Sequence, residues 1–149
     1  MDLACGGGRN SAYLARRGLH VVGVDRAWEG LRRGKETAAQ AGVEVSWVQA
    51  DLDRFHLPAG SFDVIVCFYY RDPSLYPRIR AAIRPGGLLI YQTFTRDQLR
   101  FSKGPRNPAH LLEPGELLDA FGDWDLIFYH ETWSERGEAA LVARKPMGA

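Results

Sequence analysis

The segment Asp2-Leu3-Ala4-Cys5-Gly6-Gly7-Gly8 combines a carboxylate with three consecutive glycines. Glycine takes positive φ without strain and has no side chain, so such a loop brings backbone amides close to a ligand. Glycine-rich turns are also plain punctuation, and the loop by itself decides nothing. Two further acids change its meaning. Asp25 closes the apolar run Leu19 to Val24, 17 residues after Gly8, and Asp51 follows the run Val43 to Gln49. An acid roughly 20 residues beyond a glycine loop is placed to accept hydrogen bonds from both hydroxyls of a ribose. Any one of these aspartates alone reads as a helix cap or a solvated turn. Three at equivalent ends of successive strands point to one nucleoside-type site.

Charge narrows the ligand. A dinucleotide or a triphosphate brings negative charge and seeks helix-end amides with Lys or Arg. Here acids dominate the rim, with Arg9 and Arg26 as the nearby opposite charges. A ligand with ammonium and sulfonium groups, an adenosine and a single carboxylate suits that rim better. After Gly6 and Gly8 the dinucleotide fingerprint wants Gly or Ala, and this chain has Ser11; a Gly-Lys-Ser/Thr phosphate loop is also absent.

Such a site needs strands that end level with one another, and the chain alternates strand-like and helix-like segments in the manner of βαβ units. Met1 to Ala4 reads as a strand tail, Asn10 to Arg17 as a helix stopped by Gly18, and Leu19 to Val24 as a buried strand. Trp28 to Ala41 is a second helix closed by Gly42, and Val43 to Gln49 a third strand. Phe62 to Tyr69 is the strongest strand. Pro73 to Arg84 reads as a helix with proline in its first turn, and Pro85-Gly86-Gly87 as the turn into a strand over Leu88 to Phe94. Thr95 to Pro114 has little periodicity and reads as a long functional loop, helical at its start. Glu113 to Phe121 is a short helix, and Trp124 to Trp133 with Ala139 to Lys145 a terminal antiparallel hairpin.

Composition limits what the site can serve. The chain has 149 residues, 46% hydrophobic and 25% charged, as one ordinary globular domain would. Nineteen basic residues against eighteen acidic ones leave a formal charge of +1, which gives no electrostatic case for nucleic acid. The longest apolar run, Val64 to Tyr70, is too short to span a membrane. Two cysteines form neither a disulfide framework nor a metal-ligand spacing, and nothing reads as a signal peptide, so a cytoplasmic protein with no bound metal is expected.

The glycine segment with Arg9 and Asn10 resembles motif I of the class I S-adenosylmethionine-dependent methyltransferases. Val21-Val22-Gly23-Val24-Asp25 resembles motif II, and Gln49-Ala50-Asp51-Leu52 motif III. Phe62-Asp63-Val64-Ile65-Val66 is similar to the family's fourth strand, and Arg84-Pro85-Gly86-Gly87-Leu88-Leu89 to its turn into the fifth. A weaker likeness, in Gly8-Arg9-Asn10-Ser11 and Leu112-Glu113-Pro114-Gly115-Glu116-Leu117, is to the tellurite-resistance methyltransferase branch. The resemblance implies an α/β, Rossmann-like fold. Its mostly parallel seven-stranded sheet would run in the order 3-2-1-4-5-7-6, flanked by helices and ending in the antiparallel hairpin.

It further implies S-adenosylmethionine as cofactor. Asp2, Ala4, Cys5, Gly6, Gly8, Arg9 and Asn10 would surround its methionine moiety, with Asp2 at the ammonium group. Asp25 and Arg26 would lie at the ribose, Asp51 and Leu52 at the adenine, and Phe68 and Tyr69 beside the donor methyl. Ala4 stands where the family has its first glycine. Family members carry half a strand and one or two covering helices ahead of motif I. With Met1 alone before Asp2, an N-terminally short domain over residues 1–149, without that helix cover, is expected.

Methyl transfer asks chiefly for positioning, and a base is optional for an acidic acceptor. Candidate catalytic residues are Tyr69, Tyr70 and Arg71, which follow the fourth strand, and His110 in the long loop; Tyr91 and Thr93 would wall the pocket. Cys67 reads as a small buried residue rather than a nucleophile. Arg96, Arg100, Lys103 and Arg106 make the loop cationic, either as a solvated surface or as a lid for an acidic acceptor. The expected partner is a small-molecule acceptor, with a homodimer as the assembly considered. The alternatives are a nicotinamide-dependent oxidoreductase or epimerase, and a non-catalytic accessory protein that binds S-adenosylmethionine.

Overall fold

Residues 1–148 are described by the computed structural model, which divides into two compact units, Met1–His56 and a second that begins at Leu57. In the first unit β1 (Asp2–Leu3), β2 (Val22–Asp25) and β3 (Ser46–Gln49) are parallel and alternate with α1 (Arg9–Arg16) and α2 (Trp28–Gln40). Leu3 pairs with Val24, Val24 with Val48 and Asp25 with Gln49. The three strands therefore finish level, and the glycine loop, Asp25 and the Ala50-Asp51 segment leave the sheet along one edge.

Close packing explains glycines that would otherwise weaken this unit. Within a helix a glycine costs roughly 1 kcal/mol relative to alanine. In α2, however, a Cβ at Gly34 would stand 2.8 Å from Cη2 of Trp47, and one at Gly30 would stand 2.8 Å from the carbonyl oxygen of Gly6. A Cβ at Gly8 or Gly23 would meet the same Trp47 ring, at 2.5 and 3.0 Å. One indole thus sits among Gly8, Gly23 and Gly34 and lets α2 lie against the loop backbone. Gly30, Leu31, Gly34 and Ala38 form the buried stripe of that helix.

The second unit holds β4 (Phe62–Phe68), α3 (Leu75–Ala82), β5 (Ile83–Phe94), α4 (Glu116–Phe121), β6 (Asp125–Thr132) and β7 (Glu138–Arg144). β4 and β5 are parallel, and β7 lies antiparallel to both β5 and β6. Its core contains Ile65, Cys67, Leu75, Ile79, Leu89, Tyr91, Leu117, Phe121 and Leu141, all fully buried. Strands and helices alternate from β1 to β3 and again from β4 to β6, and the seven-stranded sheet runs β3-β2-β1-β4-β5-β7-β6 with the terminal hairpin antiparallel. That is the order the family resemblance implies.

Boundaries differ where local chemistry overrides periodicity. The expected helix Pro73 to Arg84 is shorter, because the Asp72 carboxylate accepts from the Ser74 amide at 3.0 Å and holds the entry as a turn. Pro85-Gly86-Gly87 is no free turn. β5 begins at Ile83, directly after α3, and the segment bulges within it: Phe62 faces Ile83 while Val64 faces Leu88. The Gly86 amide donates to the Lys145 carbonyl at 2.8 Å, which ties the bulge to the end of β7. Leu19 and His20 lie outside β2 and are exposed. The loop after β5 carries two short 3-10 turns, Arg96–Arg100 and Pro108–His110. No helix among the described residues is long and apolar enough to cross a membrane.

Candidate functional site

In the first unit the loop after β1 is open where a ligand would approach and tight where the protein must close. A Cβ at Gly6 or Gly7 would find nothing within 4 Å, whereas Gly8 is filled from behind by Trp47. Gly6 and Gly8 have φ of 53° and 76°, and Ala4, in the place of a family glycine, is itself left-handed at 55°. A non-glycine residue in that region costs roughly 1–2 kcal/mol. The alanine keeps the loop's path at the expense of strain.

Two acids hold this loop. Asp25 receives the Gly6 amide at Oδ2 and the Ala27 amide at Oδ1, both at 2.8 Å, and so joins the loop to the entry of α2. A carboxylate offers about four lone-pair positions. Two remain beyond these bonds, enough for a pair of ribose hydroxyls. Asp2 is buried and accepts from the Ser11 hydroxyl at 2.7 Å. Burial pushes its carboxyl up to about 6, against the lowering effect of Ser11. The residue that breaks the dinucleotide fingerprint is thus the partner of the first acid. Cys5 is held neutral, its thiol pushed up to about 12 by burial and then by Asp2 and Asp25. Asp51 is exposed, with Oδ1 accepting from the Asp53 amide at 3.0 Å, and Leu52 is buried. Arg9 and Arg26 are exposed, and Asn10 is half-buried.

In the second unit the segment after β4 carries three of the candidates. Tyr69 is 44% exposed and left-handed at φ 57°, and Phe68 before it is half-buried. The Tyr70 carbonyl accepts from the Tyr91 hydroxyl at 2.7 Å. Arg71 is committed elsewhere: it binds Glu116 through Nε at 2.9 Å and Nη2 at 2.7 Å, and donates from Nη1 to the Ala109 carbonyl at 3.0 Å. Tyr76 also donates to Glu116. Burial works against the Glu116 charge, yet the bonds from Arg71, Tyr76 and the backbone at Glu113 bring its carboxyl below the usual range. Arg71 is therefore a clamp between α4 and the long loop. His110, next to that clamped carbonyl, is exposed.

Tyr91 and Thr93 are enclosed instead of walling a pocket. Much of the loop's positive charge is answered locally: Arg96 pairs with Glu113 at 2.6 Å, and Arg106 donates to the Leu99 carbonyl at 3.1 Å. Cys67 is fully buried. No group of three or more His, Cys, Asp or Glu residues that could hold a metal occurs among the described residues.

A family model described as a methyltransferase domain matches residues 1–87, from the glycine loop through β4 and α3 into β5. The chain belongs to the methyltransferase domain family. The ubiquinone biosynthesis O-methyltransferase of Erwinia tasmaniensis is 30% identical over 142 residues, covering 80% of this chain and 57% of that protein. The methyltransferase domain here thus spans somewhat over half the length of the curated relatives it matches. TehB from Haemophilus influenzae superposes with a TM-score of 0.79 at 22% identity, over 97% of this chain and 57% of that one. An S-adenosylmethionine-dependent methyltransferase from Mesorhizobium loti gives 0.77 at 20% identity, over 97% and 89%.

Beyond the matched part of this methyltransferase domain lie two acids that sequence reasoning left without a role. Glu116 anchors Arg71, and its only sequence signal was the Leu112 to Leu117 likeness. Glu138, 7% exposed at the start of β7, accepts from Tyr69 and Gln92 and had no signal at all.

Proposed function

We propose that the chain binds S-adenosylmethionine along the loop edge of its first unit and transfers the methyl group to a small-molecule acceptor. The observation that carries this reading is the open backbone at Gly6 and Gly7 beside strand ends that finish level at Asp25 and Asp51. A ligand fits there that needs close backbone approach, a diol acceptor and little anionic recognition. Family membership and the O-methyltransferase relatives support the same reading, and they favour oxygen as the attacked atom.

When bound, S-adenosylmethionine supplies an electrophilic methyl on a sulfonium centre. The chain's own residues do the rest. The backbone of Ala4, Cys5 and Gly6 would hold the methionine moiety, with Gly8, Arg9 and Asn10 shaping the turn behind it. Asp2 carries charge toward the ammonium group. Asp25, already fixed by two amides, accepts from the ribose, with Arg26 next to it. Asp51 and the Leu52 amide would hold the adenine. The family resemblance would put Phe68 and Tyr69 beside the donor methyl. Cys5, held as a neutral thiol, takes no part as a nucleophile.

A ligand at about 100 times its Kd stabilises the state that binds it by about 2.7 kcal/mol. S-adenosylhomocysteine should therefore raise the melting temperature, and NAD or NADP should not. The reverse pattern sinks the reading in favour of a nicotinamide enzyme. Binding without transfer to any of a broad acceptor panel would leave a binding protein.

A further inference from the structure

We propose that the cavity between α2 and the amino ends of β2 and β3 is a second ligand site, and that it takes an apolar amino acid in its zwitterionic form. The inference stands apart from the methyl-transfer reading, because the glycine loop, Asp25 and Asp51 gather at the carboxyl ends of the same strands. The cavity lies wholly within the first unit and holds about 510 Å3. Small-molecule sites occupy roughly 300–1,000 Å3, so the volume suits a compact ligand. Val22, Val45 and Ala38 give it apolar walls.

Three polar groups on this cavity are unanswered. Trp47 lines it, with the Cε3, Cζ3 and Cη2 edge of its indole set among Gly8, Gly23 and Gly34. That packing fixes the ring, so the indole N–H is a preorganised donor. Among the described residues this N–H has no acceptor, and it is not enclosed. Indole N–H groups drawn into a protein ordinarily find a partner. The Lys35 ammonium stands over the Trp28 ring at 5.7 Å and has no carboxylate partner among the described residues. Both acids of α2, Glu29 and Glu36, are held instead by Arg32, at 3.2 and 2.8 Å. Glu44 is exposed and has no cation partner among the described residues.

Charge and polarity name the ligand. Lys35 and Glu44 line one cavity without pairing with each other. A ligand with a single charge satisfies one of them and is repelled by the other. A zwitterion satisfies both: its carboxylate accepts from the Lys35 ammonium and the Trp47 N–H, and its ammonium donates to Glu44. His20, the remaining titratable group on the wall, offers a further ring nitrogen. One lysine set against one glutamate gives no net attraction for a phosphate ester or a polyamine. The valine and alanine surfaces then select the side chain, since burying an apolar group against them is favourable and burying a charged one is not. Lys35 and Glu44 are exposed, so each charge contact contributes at most about fivefold in affinity. For a ligand of this size the whole complex has a roughly millimolar Kd.

The test uses the full chain and follows the Trp47 indole N–H by nitrogen–proton correlation NMR during titration with L-phenylalanine. The Trp47 signal is the one missing from Trp47→Phe, or is assigned sequentially if that variant fails to fold. Phenylalanine should shift it saturably. Hydrocinnamate and phenethylamine, which each lack one of the two charges, should bind more weakly. Lys35→Met and Glu44→Gln should each weaken phenylalanine about two- to fivefold, and because both side chains are exposed both variants should melt as wild type does. In Glu44→Gln the preference for phenylalanine over hydrocinnamate should vanish, and in Lys35→Met the preference over phenethylamine. The shift should persist with S-adenosylhomocysteine present. No saturable shift, a singly charged analogue that binds wild type as tightly as phenylalanine, or unchanged affinity in either variant overturns the site. A shift abolished by S-adenosylhomocysteine would put the amino acid in the glycine loop, and that result overturns it too.

Discussion

Replacing Asp25 by alanine should damage two properties at once, and the structure says by how much. The carboxylate holds two backbone amides, from Gly6 in the loop and Ala27 at the entry of α2, each at 2.8 Å. Hydrogen bonds to a charged group contribute roughly 1.5–3 kcal/mol, and Asp25 is half-exposed, so water can replace part of each and the lower figure applies. Two such bonds give a loss of about 3 kcal/mol. For a chain of this size 1 kcal/mol shifts Tm by about 2–4 °C, so the melt should fall by roughly 6–12 °C. Losing the ribose contact should separately weaken S-adenosylhomocysteine about 100-fold, which corresponds to about 2.8 kcal/mol. Asp25→Asn should behave similarly in the melt, since an amide NH2 must then face one of the two backbone N–H groups. Differential scanning fluorimetry and isothermal titration separate the effects. A Tm within about 2 °C of wild type would show that the loop does not depend on this acid. Unchanged affinity would remove Asp25 from the donor site.

Three further outcomes follow from the same geometry. Burial raises the Asp2 carboxyl to about 6 from 3.8, so the folded state holds its proton more tightly than the unfolded chain. Stability should therefore fall as pH rises between about 4 and 6, by up to about 3 kcal/mol relative to Asp2→Asn, and urea titrations at both ends of that window that run parallel for the two proteins would refute it. Gly8→Ala should destabilise severely and change Trp47 fluorescence, because its Cβ would lie 2.5 Å from the ring, whereas Gly6→Ala should fold at a cost of roughly 1–2 kcal/mol and lose donor binding. Similar melts for those two variants would contradict the division of the loop into packed and open glycines. Arg71→Ala leaves the Glu116 side chain, only 14% exposed, without its cation and held by Tyr76 and the Glu113 amide alone. Removing one partner of a buried pair costs roughly 3–5 kcal/mol, and freeing the Ala109 carbonyl should also speed proteolysis within residues 95–114. An unchanged cleavage rate would mean the clamp does not hold the loop.

The sheet and the level strand ends of the first unit were legible because their chemistry is local. Parallel strands show as short apolar runs, and Asp25 ends its run while Asp51 follows its own by two residues, so sequence distance and spatial level coincide at these two acids. The same locality misled at Pro85-Gly86-Gly87. Two glycines after a proline imply a free turn, but a hydrogen bond from Gly86 to Lys145, 59 residues away, draws the segment into β5. Ser11 was read as a break in a phosphate fingerprint and is instead the hydroxyl that satisfies Asp2. Arg71 stood in the expected place for an acceptor contact, and only the fold shows that Glu116, far along the chain, already occupies it.

What stayed illegible shares one physical cause: a carboxylate takes its role from the donors that folding brings to it. Glu138 lies 69 residues from Tyr69 and 46 from Gln92, and neither spacing belongs to a motif. Its neighbours in sequence, Gly137 and Ala139, suggest nothing beyond the start of a strand. The antiparallel register that sets Phe94 opposite Glu138 and Gln92 opposite Ala140 is what delivers the acid to the end of β4. The contacts proposed for the donor in the first unit are therefore set by short stretches of sequence. In the second, Glu138 reaches Tyr69 and Gln92 from the last strand of the chain. Contacts encoded locally in the first unit and contacts encoded through the terminal hairpin in the second can change independently. Glu138→Gln should accordingly lower the melting temperature by loosening Tyr69 and Gln92, while leaving the affinity for S-adenosylhomocysteine where it was; a weakened affinity in isothermal titration would refute that independence.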